Sequence, residues 1–232
     1  MEAVIEVLQH GIPVARIELL DSLTITCVNA FSKTSFPEEP TLFLEFHATS
    51  PADVEQQSNT VQQVVRQHGA TRFESAADPE KRALLWKARH DVYYAQRTYF
   101  PGRKGLVTDV CVPISQLGLM VTESRRLLDD AGVAGPFNGH VGDGNFHAYL
   151  VYEGEEGSES FARAKAAADR MAGLAVSLGG SCTGEHGIGR GKRGLMQRQF
   201  SPSTLGVMRA IKHAFDPRGI MNPGKVLPDI PS

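Results

Sequence analysis

Two histidines, His140 and His147, frame the segment "GHVGDGNFH" with Asp143-Gly144 between them. Asp-Gly between two alternating segments predicts a two-residue type I′ hairpin, because both central positions need positive φ. That register sets Gly142 against Asn145, Val141 against Phe146 and His140 against His147. Directly opposed residues have Cβ atoms roughly 4.5–5.5 Å apart, close enough for two imidazoles to ligate one ion at about 2.0–2.1 Å each. Val141 and Phe146 then face the core. For an arbitrary pair the ordinary reading is two surface or hydrogen-bonded histidines. The register narrows that gap but supplies no third ligand.

A second segment, "GGSCTGEHGIGRGK" at residues 179 to 192, holds six glycines around Glu185 and His186. Such density permits unusual φ and close backbone approach. If the segment is extended, neighbouring side chains point oppositely, so Glu185 could join His140 and His147 while His186 faces another partner. Two imidazoles and a carboxylate leave a coordination position open, as expected of a catalytic divalent site. The plain alternative is a flexible turn joining two helices. No G-x-x-x-x-G-K-[ST] occurs, and no strand, glycine fingerprint and helix series suggests a nucleotide fold, so phosphate chemistry is disfavoured.

The elements that must position these groups follow from periodicity. A helix runs to Leu8 and stops at Gly11, followed by a strand through Val14, Ile17 and Leu19. "TLFLEFHAT" alternates as a strand, and Ser50-Pro51 opens a helix through Val54, Val61, Val64 and Val65. "ATRFESA" is a short strand candidate. Asp78-Pro79 starts a helix through Arg89, and "FPGRKG" is a loop that could serve as a lid. Beyond it the expected order is strand 107–112, helix 114–130, strand 133–141, strand 145–152 and helix 158–178. Phe161, Ala164, Ala168, Met171, Ala175 and Leu178 give that last helix a continuous apolar stripe. Short helices are expected near 191–198 and 202–214, before a proline-rich tail. The fold class is therefore α+β, built from ferredoxin-like split βαβ units: an antiparallel sheet with helices packed on one face and a helical C-terminal segment.

The totals set the remaining bounds. At 232 residues the chain can bury a sizeable core as one domain, residues 1–232. Lys and Arg total 24 against 26 Asp and Glu, so no global basic field draws in nucleic acid or an anionic membrane. Cys27, Cys111 and Cys182 are far apart and form no C-x-x-C pair, which suits reduced thiols in an intracellular protein. No apolar run approaches the roughly 18 residues of a transmembrane segment, and no signal peptide is evident at the N-terminus.

"GHVGDGNFH", "GGSCTGEHGIG", "TDVCVPIS" and "FDPRGIMNPGK" together resemble the C-terminal part of the FAD-linked oxidases, across nearly the whole chain. That family includes the cytochrome-linked D-lactate dehydrogenases, the glycolate oxidases and the D-2-hydroxyglutarate dehydrogenases. "WKARHD" and "TDVCVPIS" look most like the D-lactate branch. The resemblance implies an N-terminal FAD-binding domain, absent from this chain, over which the present region forms the substrate-side cap. It implies that His140, His147 and Glu185 bind a divalent metal, zinc or manganese, beside the flavin. His186 would be the base that takes the hydroxyl proton of a D-2-hydroxy acid while the C2 hydride passes to the flavin. Arg89 would hold the substrate carboxylate, for which a planar guanidinium is suited. Asn145 would contact substrate beside the metal, and Asn222 would approach the flavin; both are plain turn residues otherwise.

One position departs from the D-2-hydroxyglutarate branch. That branch is expected to carry a lysine where this chain has Val107, and Lys104 does not simply replace it. A short-tailed substrate such as D-lactate is favoured. Implied partners are an electron acceptor such as a cytochrome or electron-transfer protein, and a homodimer is compatible. The expected location is cytoplasmic in a bacterium and mitochondrial in a eukaryote. Two other classes stay open from the residues alone, a stand-alone metal-dependent hydrolase and a non-catalytic cap or interaction module.

Overall fold

In the computed structural model, which describes residues 1–229, the alternating segments become one antiparallel sheet. Its strands are β1 (Val14–Leu20), β2 (Thr41–Phe46), β3 (Lys104–Val107), β4 (Val110–Cys111), β5 (Phe137–Gly139) and β6 (Asn145–Tyr152). Among the described residues the order is β2-β1-β5-β6-β3, with β4 also on β6. β3 and β4 hold a single register along β6, from Lys104 opposite Tyr152 to Cys111 opposite Asn145, and are interrupted at Thr108 and Asp109. β4 and β5 both flank β6, and the chain passes from one to the other through helix α6 (Leu117–Ala131). This is the expected split βαβ unit.

Side-chain alternation gives the sheet two unlike faces. Ile17, Leu19, Val110, Phe137, Phe146, Ala148 and Leu150 point into the main core. That core is closed by α1 (Glu2–Gln9), α3 (Pro51–Gln67), α6 and α7 (Glu159–Ser177). The apolar stripe of α7 meets this core at the buried Ala164, Met171 and Ala175. The opposite face carries Glu18, Leu20, Asn138, His147 and Tyr149. A smaller core there gathers Leu20, Phe43, Ile25, Val28, Ala88 and Val92 under α2 (Ser22–Ser32), α4 (Pro79–His90) and α5 (Val92–Tyr99). The α+β class is as expected, with a second helical layer added to the single covered face foreseen from sequence.

Several local expectations change. The 70–76 strand does not form. Helix α2 goes unforeseen because "SLTITCVNAFS" is rich in β-branched residues; Asp21 caps it by accepting from Thr24 N at 2.8 Å, and burial of Ile25 and Val28 outweighs propensity. The remaining helices, α8 (Arg193–Gln199) and α9 (Pro202–Phe215), fall where expected.

The Asp-Gly hairpin also differs. Residues Val141 to Gly144 form a wider turn in which Asp143 N and Asn145 N both donate to His140 O, at 2.9 and 3.2 Å. Gly144 takes positive φ (76°) and Asp143 does not, so the type I′ geometry fails. Gly144 O instead accepts from Val112 N at 3.0 Å, drawing the turn over the end of β4. The resulting register sets His147 against Asn138, not His140. This slip of two residues keeps every side chain on its expected face, whereas a slip of one would have inverted them all.

Gly144 is the residue on which this turn rests, since a Cβ there would lie 2.1 Å from Val112 O. Gly144→Ala is expected to lose roughly 2–4 kcal/mol, from left-handed strain plus the backbone clash. Urea denaturation would measure it, and an unchanged midpoint would contradict this account of the turn.

Candidate functional site

The two-residue slip leaves His140 and His147 as diagonal neighbours on the second face, with ring centroids 6.0 Å apart. Glu185 enters between them from the glycine-rich loop: its Oε1 lies 3.0 Å from His147 Nε2 and 3.4 Å from His140 Nε2. One ligating atom from each of the three residues falls within 4.8 Å of the others.

Each imidazole is fixed from behind through Nδ1. His147 Nδ1 lies 3.1 Å from Thr108 O, so the Nδ1–H donates to that carbonyl and Nε2 is left as a lone pair facing Glu185. His140 Nδ1 meets Glu18 Oε1 at 2.7 Å, with the same consequence for its Nε2. Burial pushes the His147 pKa down, more than its hydrogen bond to Thr108 O raises it, which favours the neutral imidazole that a metal requires. The Glu18 hydrogen bond raises that of His140 despite partial burial.

Glu185 is placed by a group that sequence reasoning missed. Asp109, 1% exposed, sits beneath the loop and receives its hydrogen bonds. Oδ2 accepts from Thr183 Oγ1 at 2.6 Å, Gly184 N at 2.9 Å and His186 N at 2.9 Å, and Glu185 N lies 3.2 Å from both carboxylate oxygens. Asn145 Nδ2 donates to Oδ1 at 2.9 Å, and Lys192 Nζ stands 3.4 Å from Oδ2. Burial alone would raise the Asp109 pKa, but the Thr183 and Asn145 hydrogen bonds, the His186 amide and the Lys192 charge hold it far below the ordinary carboxylate value. Gly184 is required here, because a Cβ would lie 1.7 Å from Asn145 Nδ2. The available signal is an acid inside a largely apolar run, "LVTDVCV".

The loop is therefore curled around a carboxylate, not extended, and Glu185 and His186 do not diverge as an extended segment would make them. His186 stacks on His147 with centroids 4.9 Å apart and planes 13° apart, and its Nε2 is 3.6 Å from Glu185 Oε1. Both side chains are half-exposed, so the cluster is open on that side.

Arg89 reaches the site indirectly. Its Nε and Nη2 donate to Glu18 Oε2 at 3.1 and 2.9 Å, while the other oxygen of Glu18 holds His140. A cavity of about 300 Å³ beside them is lined by Arg16, Glu18, Trp86, Arg89, His90 and His140, among others. Asn145 is buried, and its Oδ1 has no partner among the described residues. Asn222 lies in the exposed tail with φ 49°, its Oδ1 3.4 Å from Lys225 Nζ. The tail is tied to the site loop where Val226 N donates to Gly189 O. Val107 is half-buried in β3, and Lys104 is held by Glu155 at the other end of that strand.

An open cluster of two imidazoles and a carboxylate, on the second face of a split βαβ sheet, defines a candidate metal centre. The chain belongs to the FAD linked oxidases, C-terminal domain, a family that matches residues 1–226. It is 44% identical over 98% of its length to the probable mitochondrial D-lactate dehydrogenase of Danio rerio, and 36% identical to the mitochondrial D-lactate dehydrogenase [cytochrome] of Arabidopsis thaliana. It is 32% identical to glycolate oxidase subunit GlcD of Escherichia coli strain K12, over 98% of its length. The chain spans about half the length of these curated relatives, 45%, 40% and 45% in turn. Substrate-bound p-cresol methylhydroxylase shares the fold, with a TM-score of 0.65 over 99% of this chain and 52% of that one, at 14% identity.

Asp109→Asn replaces an acceptor oxygen with an amide donor facing other donors. A stability loss of about 2–4 kcal/mol is expected. Amide exchange should quicken at Gly184, Glu185 and His186 more than along β6. Unchanged exchange in that loop would show that Asp109 does not hold it.

Proposed function

We propose that this chain is the substrate- and metal-binding domain of a flavin-dependent D-2-hydroxy acid dehydrogenase, of the D-lactate or glycolate type. The supporting observation is the convergence of His140 Nε2, His147 Nε2 and Glu185 Oε1 beside a half-exposed His186. Membership of the FAD linked oxidases favours redox chemistry over a stand-alone hydrolase or a non-catalytic cap.

The donors fit a divalent ion. Both imidazoles have Nδ1 already committed, the carboxylate bridges the two Nε2 atoms, and one side is open. Zinc and manganese both accept this set. The flavin would be carried by a second domain of the size that the longer relatives leave room for, meeting the open side at Glu185 and His186, with Asn222 as the tail's contact to it. When bound, the ion supplies Lewis-acid polarisation of the substrate hydroxyl oxygen and the flavin supplies the acceptor for the C2 hydride.

The remaining work falls to side chains of this chain. Arg89, its Nε and Nη2 occupied by Glu18, offers Nη1 to the substrate carboxylate. Asn145, its Nδ2 donating to Asp109 Oδ1 and Val110 O, would stand on the substrate side of the ion. His186 Nε2 takes the hydroxyl proton. Val107 stands where the D-2-hydroxyglutarate branch is expected to carry a lysine, and its apolar side chain favours short-tailed acids. A cytochrome or an electron-transfer protein would serve as the final electron acceptor. In a eukaryote the compartment would be the mitochondrion, as the names of the Danio and Arabidopsis relatives state for those proteins.

The test uses the full-length polypeptide with its flavin. His186→Gln should lower kcat for D-lactate by about 100-fold or more in a dye-reduction assay, as loss of a general base does, while bound metal is retained. His140→Ala should lose the metal by elemental analysis. Full turnover in His186→Gln, or full metal content in His140→Ala, would overturn this assignment.

A further inference from the structure

Glu18 is 5% exposed, and its two oxygens serve two different elements. Oε1 accepts from His140 Nδ1 at 2.7 Å, and Oε2 accepts from both Nε and Nη2 of Arg89 at 3.1 and 2.9 Å. The carboxylate is carried on β1 opposite Phe43 of β2, so its backbone is held by a central strand. A purely structural ion pair with Arg89 would not need the second oxygen turned to a histidine whose other nitrogen faces Glu185. A carboxylate is acceptor-only, and both of its partners here present N–H groups.

Resting on the function proposed above, we propose that Glu18 is the positioning residue that sets both anchors of the substrate. It keeps the proton of His140 on Nδ1, so that Nε2 is presented to the ion. It also locks the guanidinium of Arg89 by one edge, so that the opposite edge is offered to the carboxylate. A 2-hydroxy acid carries its hydroxyl and carboxylate on adjacent carbons, so the two anchors must stand at a fixed separation. One buried carboxylate bonded to both provides that separation, and the 300 Å³ cavity that Glu18, Arg89 and His140 all line is the space beside it.

Glu18→Gln preserves shape but offers one acceptor oxygen and one NH₂ donor, so it fails one partner. In the full-length flavoprotein, stripped with a chelator and retitrated with zinc ion, zinc affinity should fall roughly 10- to 100-fold, the usual cost of losing a group that orients a metal-bound histidine. The KM for D-lactate should rise as well. His186→Gln, measured alongside, should keep the wild-type zinc affinity. A Glu18→Gln protein that is less stable yet binds zinc and D-lactate as wild type does would overturn the proposal and leave the metal assignment standing. A wild-type protein that binds no zinc or manganese would overturn the metal assignment itself. If Glu18→Gln does not fold, the long-range ¹H–¹⁵N pattern of His140 in the wild-type protein decides. Protonation at Nδ1 supports the proposal, and protonation at Nε2 contradicts it.

Discussion

Asp109 carries a negative charge into a place with almost no access to water, and the site is arranged around satisfying it. A buried carboxylate is costly unless its lone pairs are filled. Here they are filled by the amides of Gly184, Glu185 and His186, by the hydroxyl of Thr183 and by the amide of Asn145. Those same amides belong to the residues that present the carboxylate and the exposed imidazole of the site. Satisfying the charge and folding the loop are thus one event. The interruption of pairing at Thr108 and Asp109 serves the same end: it frees Thr108 O to accept from His147 while Thr108 Oγ1 still accepts from Ala148 N. β4 then resumes the register of β3 with no slip.

The division of the sheet into two faces explains how a polar cluster survives beside a core. Phe146, Ala148 and Leu150 secure β6 to α6 and α7, and the intervening His147 and Tyr149 are thereby turned to the other side. The same alternation in β1 puts Ile17 and Leu19 in the main core and sends Glu18 and Leu20 across. Leu20 joins the smaller core, whose helix α4 carries Arg89 to Glu18. Helix α5 adds Gln96, which donates to Asn138 on the strand beside His147. The polar residues of this face are therefore held by strands whose apolar residues are fully committed elsewhere.

Much of this is legible in the sequence, and what is not has a physical reason. The split βαβ order, the long helix α7 and the shared face of His140 and His147 follow from periodicity and from parity on a hairpin, whereas Glu185 reaches them from a loop that curls on Asp109 and is not extended as expected. Parity is robust: the turn type differs and the register slips by two residues, yet both histidines stay on one face. Exact opposition is not recoverable, because Val112 pulls Gly144 over the end of β4 and no local signal in "GDGN" reports that tertiary contact. Glu18 and Asp109 escape for a related reason. Their roles depend on partners 71 and 122 residues away in the first case and about 75 in the second. A lone acid in a strand gives no hint of who will donate to it. Arg89 is legible as a cation of interest, but its pairing with Glu18 is not.

The side chains of the cluster are not held equally. His140 and His147 are each pinned through Nδ1, and the loop behind Glu185 is anchored at three successive amides. His186 has its backbone amide on Asp109, but its ring is held by stacking on His147 and, among the described residues, by no side-chain hydrogen bond. Groups that must present lone pairs to an ion gain from fixed tautomers and fixed rings, since any reorientation subtracts from affinity. A group that must take up and release a proton gains from the opposite condition. A permanent hydrogen bond at its reactive nitrogen would have to be broken in each cycle, whereas stacking fixes the ring plane and, among the described residues, commits neither nitrogen to a hydrogen bond. On the function proposed above, this pattern of hydrogen bonds and stacking suits His140, His147 and Glu185 to hold an ion and His186 to move a proton.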